Sequence, residues 1–229
     1  KVDSDKSLSI RSFLIGAISQ DISKLKNVLE SEDVFSTIDC LKKLGVKIKK
    51  KKPGFYYVYG KGLGSLFAKK NSQLHFGNSG TLARLLIGIL SSTPNIEIKI
   101  RGDKSLNKRS MKSLIKLMNK FGAHFSPKNK FNFPLKFTSS ETPIGIDYKA
   151  GVSAQLKSAV ILAGLNSYGA TKIIEHHRSR DHTENMLVNN SEIIKIKNMK
   201  KKEIIIFGKK YLNPIKIIMP SDPSSSAFF

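Results

Sequence analysis

His75-Phe-Gly-Asn-Ser-Gly-Thr-Leu-Ala-Arg-Leu-Leu-Ile-Gly-Ile-Leu90 is the stretch on which the reading of this chain turns. A short polar loop, Gly77 to Thr81, runs straight into an apolar helix. Asn, Ser and Thr are favoured at helix N-caps because their side chains accept from backbone N–H groups of the first turn. Such a junction aims the remaining unpaired N–H groups, and the positive end of the helix dipole, at one point. That point suits a phosphate or a carboxylate. One such loop carries little information, since similar caps open helices in most proteins. Its weight comes from recurrence.

Helical spacing of apolar residues predicts first helices over 7–19, 79–92 and 153–165, opening near Ser7, Gly80 and Ser153 at two equal steps along the chain. Second helices are expected to open near Asp33, Lys108 and Asp181 at almost the same step, over 34–45, 109–122 and 181–188. Glycine at 45 and 122 stops the first two. Alternation predicts strands at 26–30, 46–48, 55–59, 96–100, 123–126, 135–138, 171–175, 203–207 and 214–219. The fold expected is therefore α/β (α+β), with three repeated α-β-α-β-β units about a pseudo-threefold axis, at about 5–75, 76–149 and 150–220. Such an arrangement brings corresponding helix N-termini to one end.

Composition sets the outer limits. With 229 residues, 40% of them hydrophobic, the chain can bury a sizeable core. Its one cysteine, Cys40, excludes a disulfide framework and is expected in a helix's buried face. No apolar run is long enough to cross a bilayer. The formal charge of +23 points toward nucleic acid or an anionic membrane. Against that, arginine stands only at 11, 84, 101, 109, 178 and 180, and the lysines read as scattered, with short runs at 49–52 and 200–202. Nucleic-acid readers rely on arginine forks and interleaved aromatics. The expectation is a solvated lysine surface that favours small anions, with no nucleic acid and no membrane as partner. His176, His177 and His182 lack acid or cysteine partners at zinc spacing, so no metal site is expected.

Residue chemistry singles out the three helix starts. Lys6 and Ser7 stand at the first, with Arg11 four residues after Ser7 on the same helix face, a set that can hold a phosphate. Asn78, Ser79, Gly80 and Thr81 stand at the second, and Gly80 lets a ligand approach the backbone. Ser153, Ala154 and Gln155 stand at the third, offering hydroxyl and amide groups. Arg109 and Arg180 are expected at the starts of second helices, where a cation opposes the dipole.

Five segments, taken together, closely resemble the 5-enolpyruvylshikimate-3-phosphate synthase family. They are Asp5-Lys-Ser-Leu-Ser-Ile-Arg11, Gly77-Asn-Ser-Gly-Thr-Leu-Ala-Arg84, Gly102-Asp-Lys-Ser-Leu-Asn-Lys-Arg109, Ser153-Ala-Gln-Leu-Lys-Ser-Ala159 and Arg180-Asp-His-Thr-Glu184. They occur in the family's order over the whole chain. The resemblance implies an enolpyruvyl transferase of two domains, each built of three repeats, with the active site between them. Residues 1–229 would be one such domain, and 220–229 would lead into a second domain outside this chain.

By position, the resemblance assigns Lys6, Ser7, Arg11, Ser153, Ala154, Gln155 and Arg180 to shikimate 3-phosphate. It assigns Lys6, Asn78, Gly80, Arg109 and Gln155 to phosphoenolpyruvate. It implies addition of the 5-hydroxyl to C2 of phosphoenolpyruvate followed by loss of phosphate, in chorismate and aromatic amino-acid biosynthesis. It implies no cofactor and no metal, a cytoplasmic enzyme, and a monomer at full length. The family's acid/base groups lie largely in the other domain, so the chain alone is expected to turn over nothing. Asp3-Ser4 replaces a usual Pro-Gly, Ile10 a usual His and Ser221 a usual Gly. Among related enzymes, UDP-N-acetylglucosamine enolpyruvyl transferase places a reactive cysteine near 105–112, where this chain has none. RNA 3′-phosphate cyclase shares related repeats, but its nucleotide-binding signature is not evident.

Overall fold

Three helices that are apolar on nearly every side decide how this chain folds. They are α1 (Lys6–Ile18), α3 (Gly80–Ser91) and α6 (Ala154–Gly164), and from their second turn onward almost every residue is buried. A helix without a polar face belongs in the interior. The computed structural model describes residues 4–69, 71–198 and 201–220. In the first unit α1 is followed by β1 (Ile22–Lys26), α2 (Glu32–Lys43), β2 (Lys47–Lys52) and β3 (Phe55–Tyr59). The second runs β4 (Gln73–His75), α3, β5 (Glu97–Arg101), α4 (Lys104–Lys108), α5 (Lys112–Lys120), β6 (His124–Ser126) and β7 (Leu135–Thr138). The third runs β8 (Asp147–Ala150), α6, β9 (Ala170–Glu175), α7 (His182–Leu187), β10 (Ile194–Asn198) and β11 (Lys202–Phe207), and β12 (Lys216–Ile218) follows.

The result is mixed α/β with three similar four-stranded sheets, ordered β12-β1-β3-β2, β4-β5-β7-β6 and β8-β9-β11-β10. In each, one edge strand runs parallel to its neighbour and the other pairs are antiparallel. The parallel pair needs a crossover helix: α3 joins β4 to β5, and α6 joins β8 to β9. The first sheet obtains its parallel edge from the far end of the chain, where Lys24, Leu25 and Lys26 register with Lys216, Ile217 and Ile218. Asn27 Nδ2 donates to the Met219 carbonyl (2.8 Å) and Asp5 N donates to the Pro220 carbonyl (3.1 Å).

The second unit carries one strand more than the spacing of apolar residues reveals, β4, and the third carries two, β8 and β10, while the strand expected at 214–219 is β12 and belongs to the first sheet. Gln-Leu-His and Asp-Tyr-Lys-Ala hold too few apolar residues to announce β4 and β8, and they are strands because a central strand pairs with them. The strand expected at 26–30 lies instead at Ile22–Lys26, where Ser23 and Leu25 point inward. It ends at Asn27, whose φ of 55° breaks the extended run. The helix expected over 109–122 is α5, Lys112–Lys120, and a separate short helix, α4, precedes it at Lys104–Lys108. Met111 N donates to the Phe131 carbonyl (2.6 Å), so the ladder of α4 does not continue into α5. The expected crossovers fall largely on residues 1–3 and 221–229, which lie outside the described residues.

The second helices are amphipathic by contrast. α2 buries Val34, Thr37, Ile38, Cys40 and Leu41 and turns its lysines outward. Cys40 is 1% exposed, and burial pushes its thiol up to about 12, so it is packing rather than a nucleophile.

Close approach of α3 and α6 is made possible by Gly88. A Cβ there would lie 2.6 Å from the Ala159 carbonyl oxygen and 2.9 Å from its Cα, both backbone atoms of α6. Replacing Gly88 by Ala gains about 1 kcal/mol of helix propensity. Forcing the two backbones apart costs about 1–3 kcal/mol and extends to every neighbour of both helices. The clash should win: Gly88→Ala is expected to lower stability in urea titrations. Gly151→Ala, at a position with nothing within 4 Å, serves as the control. Equal stability of the two variants would contradict the close-packing role.

Candidate functional site

The three first helices open in the same way. Asp5 Oδ1 accepts from Leu8 N (2.7 Å), Ser79 Oγ from Leu82 N (3.2 Å) and Ser153 Oγ from Leu156 N (3.4 Å). In each the cap accepts from the third residue after it and leaves the first-turn N–H groups open. Side chains tie the openings together. Gln155 Nε2 donates to Thr81 Oγ1 (2.9 Å), joining the third opening to the second. Arg11, only 3% exposed, donates through Nε to Thr183 Oγ1 (3.1 Å) and through Nη2 to Ser158 Oγ (3.5 Å), joining α1 to α6 and α7. Its Nη1 folds back onto Ser7, donating to the carbonyl (3.1 Å) and to Oγ. All three helix starts therefore face one region.

Two pairs of like charges stand in that region. Burial, and then the nearby positive Arg180, hold the Arg11 guanidinium down at about 10, although Asp5 and Glu184 pull the other way. Arg84 is likewise lowered, first by burial and then by Arg109. Arg84 Nη1 donates to the Gly80 carbonyl (3.0 Å), and Arg109 Nη2 donates to Asn78 Oδ1 (3.2 Å). A Cβ on Gly80 would meet Arg84 Nη1 at 2.7 Å and Arg109 Nη1 at 3.4 Å, so both guanidinium groups crowd the start of α3. Cations drawn together at helix N-termini are unfavourable unless an anion lies between them. The geometry thus makes two anion seats, one around Arg11 and Arg180 and one around Arg84 and Arg109.

Beneath the first seat lies a buried ionic cluster. Lys157 is fully buried on α6, with Nζ 2.9 Å from Glu175 Oε1 and 2.7 Å from Glu184 Oε1. Lys202 approaches the same two carboxylates at 3.9 and 3.7 Å. Glu175 Oε1 also accepts from Ser179 N and Ser179 Oγ, each at 2.7 Å, which fixes the loop that carries Arg180. Burial pushes the Glu175 carboxyl up, but Lys157 and Ser179 outweigh it and bring it below its ordinary value. His182 is lowered by burial and then by Arg11. His176 and His177 are exposed, and among the described residues no group of three His, Cys, Asp or Glu side chains could hold a metal.

Each residue expected from the sequence can now be located. Ser7 holds Arg11, which reaches Ser158 on α6; Ser153 caps α6, Ala154 opens it and Gln155 reaches Thr81; Asn78, Gly80 and Arg109 stand together at the start of α3. Lys6 is exposed and pairs with Asp33 on α2 (3.4 Å). Arg180 is exposed in the loop before α7. One expectation is corrected: Arg109 does not open a helix but caps the C-terminus of α4, where the dipole favours a cation. Arg84, Ser158 and Thr183 are not singled out by the sequence. Arg84 had a signal, because it follows Gly80 by four residues as Arg11 follows Ser7. Among the described residues no helix is long and apolar enough to cross a membrane.

A family model described as EPSP synthase (3-phosphoshikimate 1-carboxyvinyltransferase) matches residues 1–229. The chain belongs to the EPSP synthase family. Curated relatives named 3-phosphoshikimate 1-carboxyvinyltransferase include those of Zymomonas mobilis, 39% identical over 99% of this chain, and Bacillus subtilis, 40% identical over all of it. The solved EPSP synthase of Acinetobacter baumannii superposes with a TM-score of 0.88 at 36% identity, covering 100% of this chain and 51% of that one. The chain spans about half the length of the curated relatives it matches, 50% and 52% for the two above. As a member of the EPSP synthase family, it has the sheets and helix starts of one half of that solved structure.

The lowered Glu175 carboxyl has a consequence for acid stability. A carboxyl whose folded value lies below its unfolded value stabilises the fold fully above that unfolded value, here 4.5. The contribution is lost as pH falls through the folded value. Glu175→Gln is therefore expected to lower stability at about pH 7 and to lose less on acidification below about pH 4.5 than the parent chain. Urea unfolding at both pH values measures this; parallel losses in the two proteins would contradict the ion pair.

Proposed function

We propose that this chain supplies one wall of a two-substrate site that transfers the enolpyruvyl group of phosphoenolpyruvate to the 5-hydroxyl of shikimate 3-phosphate. The pair of anion seats at convergent helix N-termini carries this reading, together with membership of the EPSP synthase family. Both substrates are anions, and the site offers separate, adjacent clusters of guanidinium groups. In this reading Arg11 and Arg180, with Lys6, Ser7, Ser153 and Ala154, hold shikimate 3-phosphate. Asn78, Gly80 and Arg109, with Lys6, hold phosphoenolpyruvate. Gln155 lies between the two, hydrogen-bonded to Thr81 at the second helix start.

The chemistry asks this wall for position and charge. The 5-hydroxyl oxygen gives up its proton and bonds to C2 of phosphoenolpyruvate while C3 gains a proton; the C2–O bond to phosphate then breaks and C3 gives a proton up, restoring the double bond. Holding both substrates in register converts a bimolecular step into an effectively unimolecular one. Fixed cations and N–H groups stabilise the phosphate as it leaves. Among the described residues Glu175 and Glu184 are committed to Lys157, Asp33 faces Lys6, Asp5 Oδ1 caps α1 and Asp181 Oδ1 accepts from Asn185. In this proposal the acid/base groups come from a second domain outside this chain, and the complete enzyme is a cytoplasmic monomer.

Residues 1–229 alone are expected to release no phosphate from the substrate pair. The protein extended to the length of its relatives is expected to release it, and absence of release at saturating substrates would overturn the proposal. In that extended protein Arg109→Ala should raise KM for phosphoenolpyruvate by about ten- to a hundredfold, as for loss of one charge-assisted contact. It should leave shikimate 3-phosphate binding nearly unchanged. Gly80→Ala displaces the end of a flexible arginine rather than backbone, so it is expected to preserve the fold. It should reduce sensitivity to glyphosate, an inhibitor of the family that competes for this pocket. Unchanged inhibition would remove Gly80 from the pocket wall.

A further inference from the structure

Each sheet turns one face to the helices and the other to solvent, so the fold presents three equivalent outer faces. They differ in charge. On the second sheet Glu97 pairs with Lys136. On the third, Glu203 pairs with Lys172 at 3.2 Å, and Asp147 stands opposite that same lysine. The strands of the first sheet contain no Asp or Glu at all. Their outer face gathers Lys24, Lys26, Lys47, Lys49, Lys51 and Lys216, all exposed.

An aromatic row lies between these lysines. Phe55, Tyr57 and Tyr59 occupy alternate positions of β3 and so share the outer face, about 7 Å apart along the strand. β1 and β2 flank them on either side, at about 4.8 Å. Lys47 and Lys51 place their ammonium groups 5.0 Å from the Tyr59 and Tyr57 ring centres, and Lys24 lies 5.6 Å from Tyr57. A general surplus of lysine would load all three faces alike, and here two keep compensating carboxylates while one keeps none. Lys24 sits directly opposite Lys216 with no intervening counter-charge on the strands, a like-charge pairing that disfavours the sheet unless an anion covers it.

We propose that the outer face of β12-β1-β3-β2 is a docking surface for single-stranded nucleic acid. Such a chain offers both chemistries the face presents: bases that stack on aromatic rings, and phosphates that lie along lysine rows. An acidic peptide would use the lysines and leave the rings idle. A bilayer would need a protruding apolar ridge, whereas these rings are half-buried between lysine stems. Along the chain arginine is scarce and the lysines look scattered, which argues against nucleic acid. Antiparallel pairing of β2 with β3 interleaves lysines with the aromatic row. None of these residues belongs to the proposed substrate site, so the surface stands or falls independently of that assignment.

The test is fluorescence anisotropy of a 5′-fluorescein oligothymidylate of about 16 nucleotides, titrated with residues 1–229 at several salt concentrations. A net charge of +23 attracts any polyanion, so charge-matched variants are compared. Lys47→Glu/Lys49→Glu/Lys51→Glu alters this face; Lys99→Glu/Lys149→Glu/Lys195→Glu makes the same change on the other two. The first triple is expected to bind at least about tenfold more weakly than the second. Its salt dependence should be shallower than the parent's by about 2 in log–log slope. Tyr57→Ala/Tyr59→Ala keeps the charge and should lose about ten- to a hundredfold. Should its melting curve show it unfolded, Tyr57→Leu, which retains the apolar stem, takes its place. Equal weakening by the two lysine triples, or parent-like binding by the tyrosine variant, would overturn the proposal. So would binding of phosphatidylserine vesicles without binding of the oligonucleotide.

Discussion

Burying three helices that have no polar face is the constraint from which the rest of the structure follows. Such helices can be satisfied only by one another and by the inner faces of sheets, and the nearest approach, α3 against α6 at Gly88, leaves no room for a side chain. With the three helices packed side by side and similarly oriented, their capped N-termini have to emerge at one end. The anion-attracting properties of that end are a by-product of the core. The chain then adds arginines where the exposed N–H groups already favour negative charge. Site and core are consequently hard to separate energetically, since Arg11 is at once a buried member of the helix packing and part of the proposed site.

The same economy appears in the ionic cluster beneath the first seat. A lysine fully removed from water is tolerable only with carboxylates beside it, and Lys157 has two. Those carboxylates in turn hold the Ser179 loop and α7, the two elements that present Arg180 and Thr183. Rigid support below an exposed loop lets a mobile-looking cation act from a defined position. Hydrophobic residues of similar volume could fill the space, but they could not accept from the Ser179 amide.

How much of this could be read before folding depended on whether the information was local. Helix openings were legible because caps and apolar periodicity are short-range features: Ser79 and Ser153 cap where the pattern implies, and Asp5 caps α1 two residues before the expected opening at Ser7. The core role of Cys40 followed from its helical face. What failed was long-range. β4, β8 and β10 exist because a central strand pairs with them, and their own residues scarcely favour extension. The break between α4 and α5 comes from a bond to Phe131, twenty residues away, so Arg109 was placed on the wrong end of a helix. Arg84 was overlooked although its four-residue offset from Gly80 repeats that of Arg11 from Ser7. Lysines that look dispersed along the chain form a single field once β2 and β3 pair.

The origin of β12 has a bearing on the order in which the chain acquires structure. Ribosomal synthesis delivers β1, β2 and β3 early, yet the parallel partner of β1 follows only after both other sheets have been made. A nascent first unit therefore carries an open edge on a central strand, next to α1, until β12 has been made. Non-local pairing of this kind is slow because loop closure precedes any gain from contact. The second and third units hold all four of their strands in continuous sequence and can mature while the first waits. Of the three sheets, the first to be started is then expected to be the last completed.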